Sequence, residues 1–216
     1  MAKTRLSRRT FLKTGCLSLG AAGLTVCGLT ALSPEPTPIE TPSLTYGGNS
    51  MNKRILVTYA TCNGSTIDVA ATIAESINTN GIVVDVIPIE DRPQVEDYQA
   101  VLIGSAVQYA NWLPEAVDFV KSNQEAINRL PVALFCVHIQ NTGDDPTSRQ
   151  NRMAYLDKVR PLVQPVAEGF FAGKFDRRAA AMLLPRWVAP FVPPIDMRKW
   201  DKMRAWAESV QPLLVQ

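Results

Sequence analysis

Val57-Thr58-Tyr59-Ala60-Thr61-Cys62-Asn63-Gly64-Ser65-Thr66 decides the fold of this 216-residue chain. The apolar run 55–59 predicts a buried strand. Ile67, Val69, Ala70, Ile73, Ala74 and Ile77 recur at helical spacing and predict a helix that starts near Thr66. The first N–H groups of a helix have no partner within it, and its dipole favours negative charge there, so a strand turning into a helix start is an anion site. Thr61, Ser65 and Thr66 add hydroxyl donors, Gly64 lets the backbone approach closely, and Cys62 and Asn63 complete the turn. No Lys or Arg lies within residues 59–66, which excludes the lysine-bearing triphosphate loop. Neutral donors alone suit the dianion of a phosphate monoester. The same residues also fit an ordinary capped turn after a strand, and the residues alone leave the two readings open.

Further strands are expected over residues 82–87, 100–105, 131–139 and 165–171. Helices are expected over 113–130 (whole or broken), 149–162 and 199–214. Strands alternating with helices, with nearly continuous apolar runs in the strands, imply an α/β fold with a parallel sheet covered on both faces.

The pattern Tyr59-x-Thr61-x-x-Gly64-x-Thr66-x-x-x-Ala70-x-x-Ile73 resembles the flavodoxin signature at every specified position. The resemblance implies a flavodoxin-like, doubly wound five-stranded parallel sheet of order 2-1-3-4-5 in three layers, and FMN as cofactor. Its phosphate would lie in the loop Thr61, Cys62, Asn63, Gly64, Ser65 and Thr66. The ligand crevice of such a fold lies at the carboxyl ends of strands 1, 3 and 4. After strand 3, Ser105, Ala106 and Val107 would let a flat ring approach, and Tyr109 and Trp112 offer aromatic faces, although Trp112 equally suits a cap on the core. After strand 4, the polar loop 138–145 brings Asn141 and Gly143 into the implied site. His138, the sole histidine, reads as structural or as a proton donor. No acid–base pair is legible, so the catalytic residues are unassigned.

Ile103-Gly104-Ser105-Ala106-Val107-Gln108-Tyr109, Phe119-Val120-Lys121, Phe170-Phe171-Ala172-Gly173-Lys174-Phe175-Asp176 and Asp196-x-Arg198-x-Trp200 are similar to flavodoxin-domain proteins of the menaquinone-dependent protoporphyrinogen oxidase type. The likeness covers about residues 53–214. It implies an FMN-dependent oxidoreductase that passes electrons to a quinone or another membrane electron-transfer partner. The other reading is an exported electron carrier with no substrate of its own. Residues 179–194 are apolar with four prolines, so no long helix fits them. The resemblance to the oxidase type implies a membrane or partner contact here; the residues alone equally suit a loop packed over the sheet edge.

Ser7-Arg8-Arg9-Thr10-Phe11-Leu12-Lys13 resembles a twin-arginine export signal. The implied partner is the twin-arginine translocase, and the implied location is the extracytoplasmic face of the membrane. Residues 14–33 are uncharged and long enough to span a bilayer, and Leu24-Thr25-Val26-Cys27 loosely resembles a lipidation box. Residues 1–33 are thus a signal or anchor. Residues 34–50, with Pro34, Pro36, Pro38, Pro42, Gly47 and Gly48, form a tether, and 51–216 form the domain. The leader carries Lys3, Arg5, Arg8, Arg9 and Lys13 and no acid, so the remainder has 17 basic against 20 acidic residues. That mild acidity argues against nucleic acid as a partner. No two Cys or His stand at metal-ligand spacing, and no disulfide framework is expected.

Overall fold

The computed structural model describes residues 39–48, 54–78, 81–184 and 188–215. The twin-arginine motif, the uncharged stretch 14–33 and Cys27 lie outside the described residues. The chain forms two units, Met1–Thr37 with Arg177–Pro193, and Pro38–Asp176 with Pro194–Gln216.

The larger unit holds β1 (Leu44–Tyr46), β2 (Arg54–Ala60), β3 (Val83–Pro88), β4 (Ala100–Gln108), β5 (Asn111–Trp112), β6 (Val132–His138) and β7 (Ala167–Ala172). Strands β3, β2, β4, β6 and β7 run parallel in that spatial order, which is 2-1-3-4-5 along the chain. The expected sheet is therefore present. Two additions flank it. Strand β1 pairs antiparallel with the outer edge of β3, and β5 folds back antiparallel on β4. Residues 44–46 belong to the stretch read as tether; the alternation of Leu44, Thr45 and Tyr46 gives that segment an edge-strand pattern too short to separate from a linker. Thr45 also donates a 2.7 Å hydrogen bond to Asp85, and the Tyr59 hydroxyl donates to the Pro42 carbonyl at 3.0 Å. Asp85 is a buried carboxylate inside a strand, and Arg54 pairs with it at 2.5 Å.

Strand residues alternate between two cores. Ile55, Val57 and Tyr59 face one, with α1 (Ser65–Ile77) and α6 (Trp200–Leu214) packed over them through Val69, Ile73, Ile77, Met203, Ala207 and Val210. Leu56, Val101, Ile103 and Leu134 face the other, under α2 (Pro114–Ser122) and α3 (Gln124–Ile127). Each such aliphatic side chain contributes roughly 1.5–3 kcal/mol on burial. Gly104 in β4 is required by packing: a Cβ there would stand 2.0 Å from the Phe135 ring. The helix expected over 149–162 is shorter, α4 (Pro146–Met153) followed by a 3-10 turn at Ala154–Leu156. Asp145 caps it by accepting from the Ser148 N–H at 2.9 Å, and α4 itself buries no residue, so nothing sustains it further. A two-stranded ribbon, β8 (Lys174–Phe175) with β9 (Ile195–Asp196), spans the point where residues 177–193 leave the larger unit.

The smaller unit contains α5 (Arg177–Leu183) and a 3-10 turn at Ala189–Phe191. The proline-broken reading of this segment matches that division. No helix among the described residues is long and apolar enough to cross a membrane.

Candidate functional site

Ala60, Ser105 and Cys136 are paired side by side across β2, β4 and β6. The turn 61–66, the end of β4 at 106–108 with Tyr109 beyond it, and residues 141 and 143 therefore all stand at one edge of the sheet, its carboxyl edge.

Gly64 precedes α1 with φ 86°, a left-handed conformation that glycine adopts without steric cost. Its N–H donates to Thr61 Oγ1 at 3.0 Å, and the Ser65 N–H donates to Asn63 Oδ1 at 3.4 Å. The sequence reading leaves these early amides to a ligand. The structure engages both inside the turn, because short polar side chains at these spacings reach back to the backbone. The hydroxyls then carry more of the site's donor capacity. A serine or threonine has one proton to donate and two lone pairs. Thr61 Oγ1 accepts from Gly64 and keeps its proton. Ser65 Oγ accepts from the Lys174 N–H at 3.0 Å and keeps its own. Thr66 is fully buried, and its Oγ1 has no partner among the described residues. Thr58 also lacks one, but it lies within β2 and not at the turn. Three O–H protons are thus available at the N-terminus of a 13-residue helix. That donor set fits a phosphate, which only accepts.

Asn63 Nδ2 donates to the Lys174 carbonyl at 3.3 Å. Lys174 closes the turn through its backbone from 109 positions away, which no local pattern could show. The only signal was the resemblance carried by residues 170–176. The motif Asp196-x-Arg198-x-Trp200 has a structural role. Arg198 bonds Asp196 at 2.8 and 2.6 Å, pairs with Asp68 of the first turn of α1 at 2.5 Å, and lies 4.5 Å over the Trp200 ring. Its hydrogen bonds hold the Asp196 carboxyl down to about 2. The one acid in the first turn of α1 is thereby neutralised. Cys62 is half-buried, and burial raises its thiol pKa.

The strand 3 loop differs from expectation. Strand β4 continues to Gln108, turns through Tyr109 and Ala110 at φ 50° and 58°, and returns as β5. With both central residues left-handed, the two-residue loop has the type I′ form, whose twist matches that of the flanking strands. Ser105 Oγ donates to the Ala106 carbonyl at 2.8 Å and accepts from the Leu113 N–H at 3.0 Å. It uses both its proton and an acceptor site to tie this hairpin. Ala106 is buried among the residues under α2, Val107 pairs with Trp112, and Tyr109 stands 80% exposed beside them. Trp112 is buried and donates to Cys136 Sγ at 3.1 Å, so its place is the core. Burial pushes the Cys136 thiol up to about 12.

On the strand 4 side, Asn141 adopts φ 55°. Its Nδ2 donates to the Tyr155 hydroxyl at 2.7 Å and its Oδ1 accepts from Asn151 at 3.2 Å. The Gly143 carbonyl accepts from Arg152 at 2.5 Å. The Asn141 side chain is tied inward. His138 is buried, with Nδ1 2.6 Å from the Gln140 carbonyl and its ring 5.4 Å from that of Tyr155. Burial lowers its pKa. No cluster of His, Cys, Asp and Glu among the described residues could hold a metal ion.

Residues 56–182 match the family model described as a flavodoxin domain, more than half of the chain. Protoporphyrinogen IX dehydrogenase [quinone] of Escherichia coli K12 is 28% identical over 88 residues, which cover 40% of this chain and 49% of that protein. The chain spans about half the length of the curated relatives it matches. Two solved structures are also similar. A flavodoxin from the domain Archaea aligns with TM-score 0.48 and 16% identity, covering 76% of this chain and 99% of that one. Fusobacterium nucleatum flavodoxin bound to flavin mononucleotide aligns with TM-score 0.46 and 14% identity, covering 75% and 99%. The chain belongs to the flavodoxin domain family, whose domain binds FMN.

Proposed function

Within the flavodoxin domain family, we propose that this chain is an FMN-dependent redox protein of the protoporphyrinogen dehydrogenase type, moving electrons to a quinone at the outer face of the membrane. The observation that carries the cofactor reading is the buried, unpartnered hydroxyl of Thr66 at the start of α1, beside two hydroxyls that keep their protons. Bound FMN would supply the electron-accepting and electron-donating chemistry. Thr61, Ser65 and Thr66 would donate to its phosphate, and the Cys62, Asn63 and Gly64 backbone would frame it. The backbone of Ala106 and Val107, with Tyr109, would line one side of its ring, and the backbone of Asn141 and Gly143 the other, with Ser105 holding the hairpin behind. The leader would send the folded chain through the twin-arginine translocase, and residues 14–33 or a lipid on Cys27 would keep it at the membrane.

A second reading, an exported carrier without a substrate of its own, is favoured by the Arg8-Arg9 motif, since an intracellular substrate would not meet an exported enzyme. Mixing the reduced protein with a soluble menaquinone analogue, and separately assaying protoporphyrinogen oxidation, tests both. Fast reoxidation with protoporphyrinogen turnover supports the enzyme, and fast reoxidation alone supports the carrier. Protein that neither contains nor takes up FMN overturns both.

A further inference from the structure

Going beyond the flavin reading, we propose that a second pocket, at the carboxyl ends of β6 and β7, binds a small organic carboxylate that also carries an N–H or O–H donor. The pocket has a volume of about 290 Å³, near the lower bound for small-molecule sites. Arg152, Lys199 and Lys202 line it against one carboxylate, Asp144. Lys202 Nζ lies 3.5 Å from Asp144, so that pair cancels and two cations remain. Arg152 is oriented by the Asn141 and Gly143 carbonyls, both bonded to Nη1, while its Nε and Nη2 make no hydrogen bond among the described residues. Lys199 makes no ion pair among them. This cation excess calls for an anion, and the guanidinium fork suits a carboxylate.

The second half of the specification comes from His138. It lines the pocket and is only 4% exposed. The contact of Nδ1 with the Gln140 carbonyl requires the proton on Nδ1, so in the neutral ring Nε2 is a bare acceptor. That Nε2 is buried and has no partner among the described residues. A buried unmet acceptor is unfavourable and calls for a donor. A plain anion satisfies the cations but not Nε2, and a neutral alcohol does the reverse. A carboxylate with a neighbouring N–H or O–H satisfies both, and Phe171 and Met203 give the pocket an apolar wall for a flat ring.

His138 is the chain's sole histidine, so its imidazole resonances can be followed by NMR without assignment in untagged full-length protein. Pyrrole-2-carboxylate is titrated against furan-2-carboxylate, which has the same shape and charge but no N–H. The expected result is a saturable shift of the imidazole nitrogen signals with pyrrole-2-carboxylate, and affinity about tenfold weaker for the furan acid. Arg152→Gln and the exposed Lys199→Gln should each weaken pyrrole-2-carboxylate about five- to tenfold. No saturable shift, equal affinity for the two acids, or unchanged affinity in Lys199→Gln overturns the proposal. None of these pocket residues lies in the Thr61–Thr66 turn, so the titration is run with and without added FMN. Ligand shifts in protein that never turns yellow keep the pocket and retire the flavin reading; yellow protein without shifts does the opposite.

Discussion

The two turns that follow β2 and β4 stand at the same edge of the sheet but meet their backbone demands in opposite ways. The turn after β2 puts its one left-handed conformation on Gly64, and fills its early amides with Thr61 and Asn63. The hairpin after β4 forces Tyr109 and Ala110, two residues with side chains, into the same region. Each costs of order 1–2 kcal/mol. The first turn is low in strain, and its Thr61, Ser65 and Thr66 hydroxyls keep the protons that the proposed phosphate would take. The second is a strained projection, held by Ser105, that keeps Tyr109 out of the core. Strain of this kind concentrates at binding surfaces.

The comparison breaks first at Gly64. Gly64→Val places a β-branched residue in the left-handed region and should cost about 2–3 kcal/mol, with loss of FMN binding, read as a lowered denaturant midpoint and a colourless protein. A tolerated valine would show that the cradle does not depend on its glycine. Ser105→Ala should cost about 1–3 kcal/mol because the buried Leu113 N–H loses its acceptor. An unchanged midpoint would mean that water replaces the hydroxyl and that the hairpin needs no tie. In the opposite direction, Ala110→Gly should stabilise the protein by about 1 kcal/mol by relieving strain. A neutral or destabilising result would mean that the hairpin is not strained.

The smallest expected effect is a pH dependence. The folded pKa of His138 lies below its ordinary 6.5 through burial. Well above pH 6.5 both folded and unfolded chains leave the ring neutral. As pH falls below that value the unfolded chain takes up the proton first, so stability declines, by at most about 1.4 kcal/mol per pH unit. His138→Asn should flatten this decline below about pH 6.5, measured by denaturation. An unchanged slope would assign the acid sensitivity to other groups.

The parallel sheet and its order were legible because Ile55, Val57, Val84, Leu102 and Leu134 sit in short apolar runs separated by helical periods. The cradle was legible because all its residues are contiguous from Thr61 to Thr66. What escaped depends on distance or on geometry without composition. The Lys174 backbone reaches Ser65 from the other end of the domain. Tyr109-Ala110 contains neither Gly nor Asn, so nothing in its composition announces a tight hairpin, and β4 was cut short at Ser105. Leu44–Tyr46 was hidden among prolines and glycines. Ser105 was read for the room it leaves a flat ring; its hydroxyl serves the hairpin.

The most direct test of the cradle is Thr66→Val, which is nearly isosteric and removes only the buried, unpartnered hydroxyl. FMN-free protein should be as stable as the parent or slightly more so. Its affinity for FMN, titrated by quenching of flavin fluorescence, should fall by about 10- to 100-fold, the loss of one hydrogen bond to a charged group. Equal FMN affinity in the parent and in Thr66→Val, or no FMN binding by the parent itself, would contradict the account.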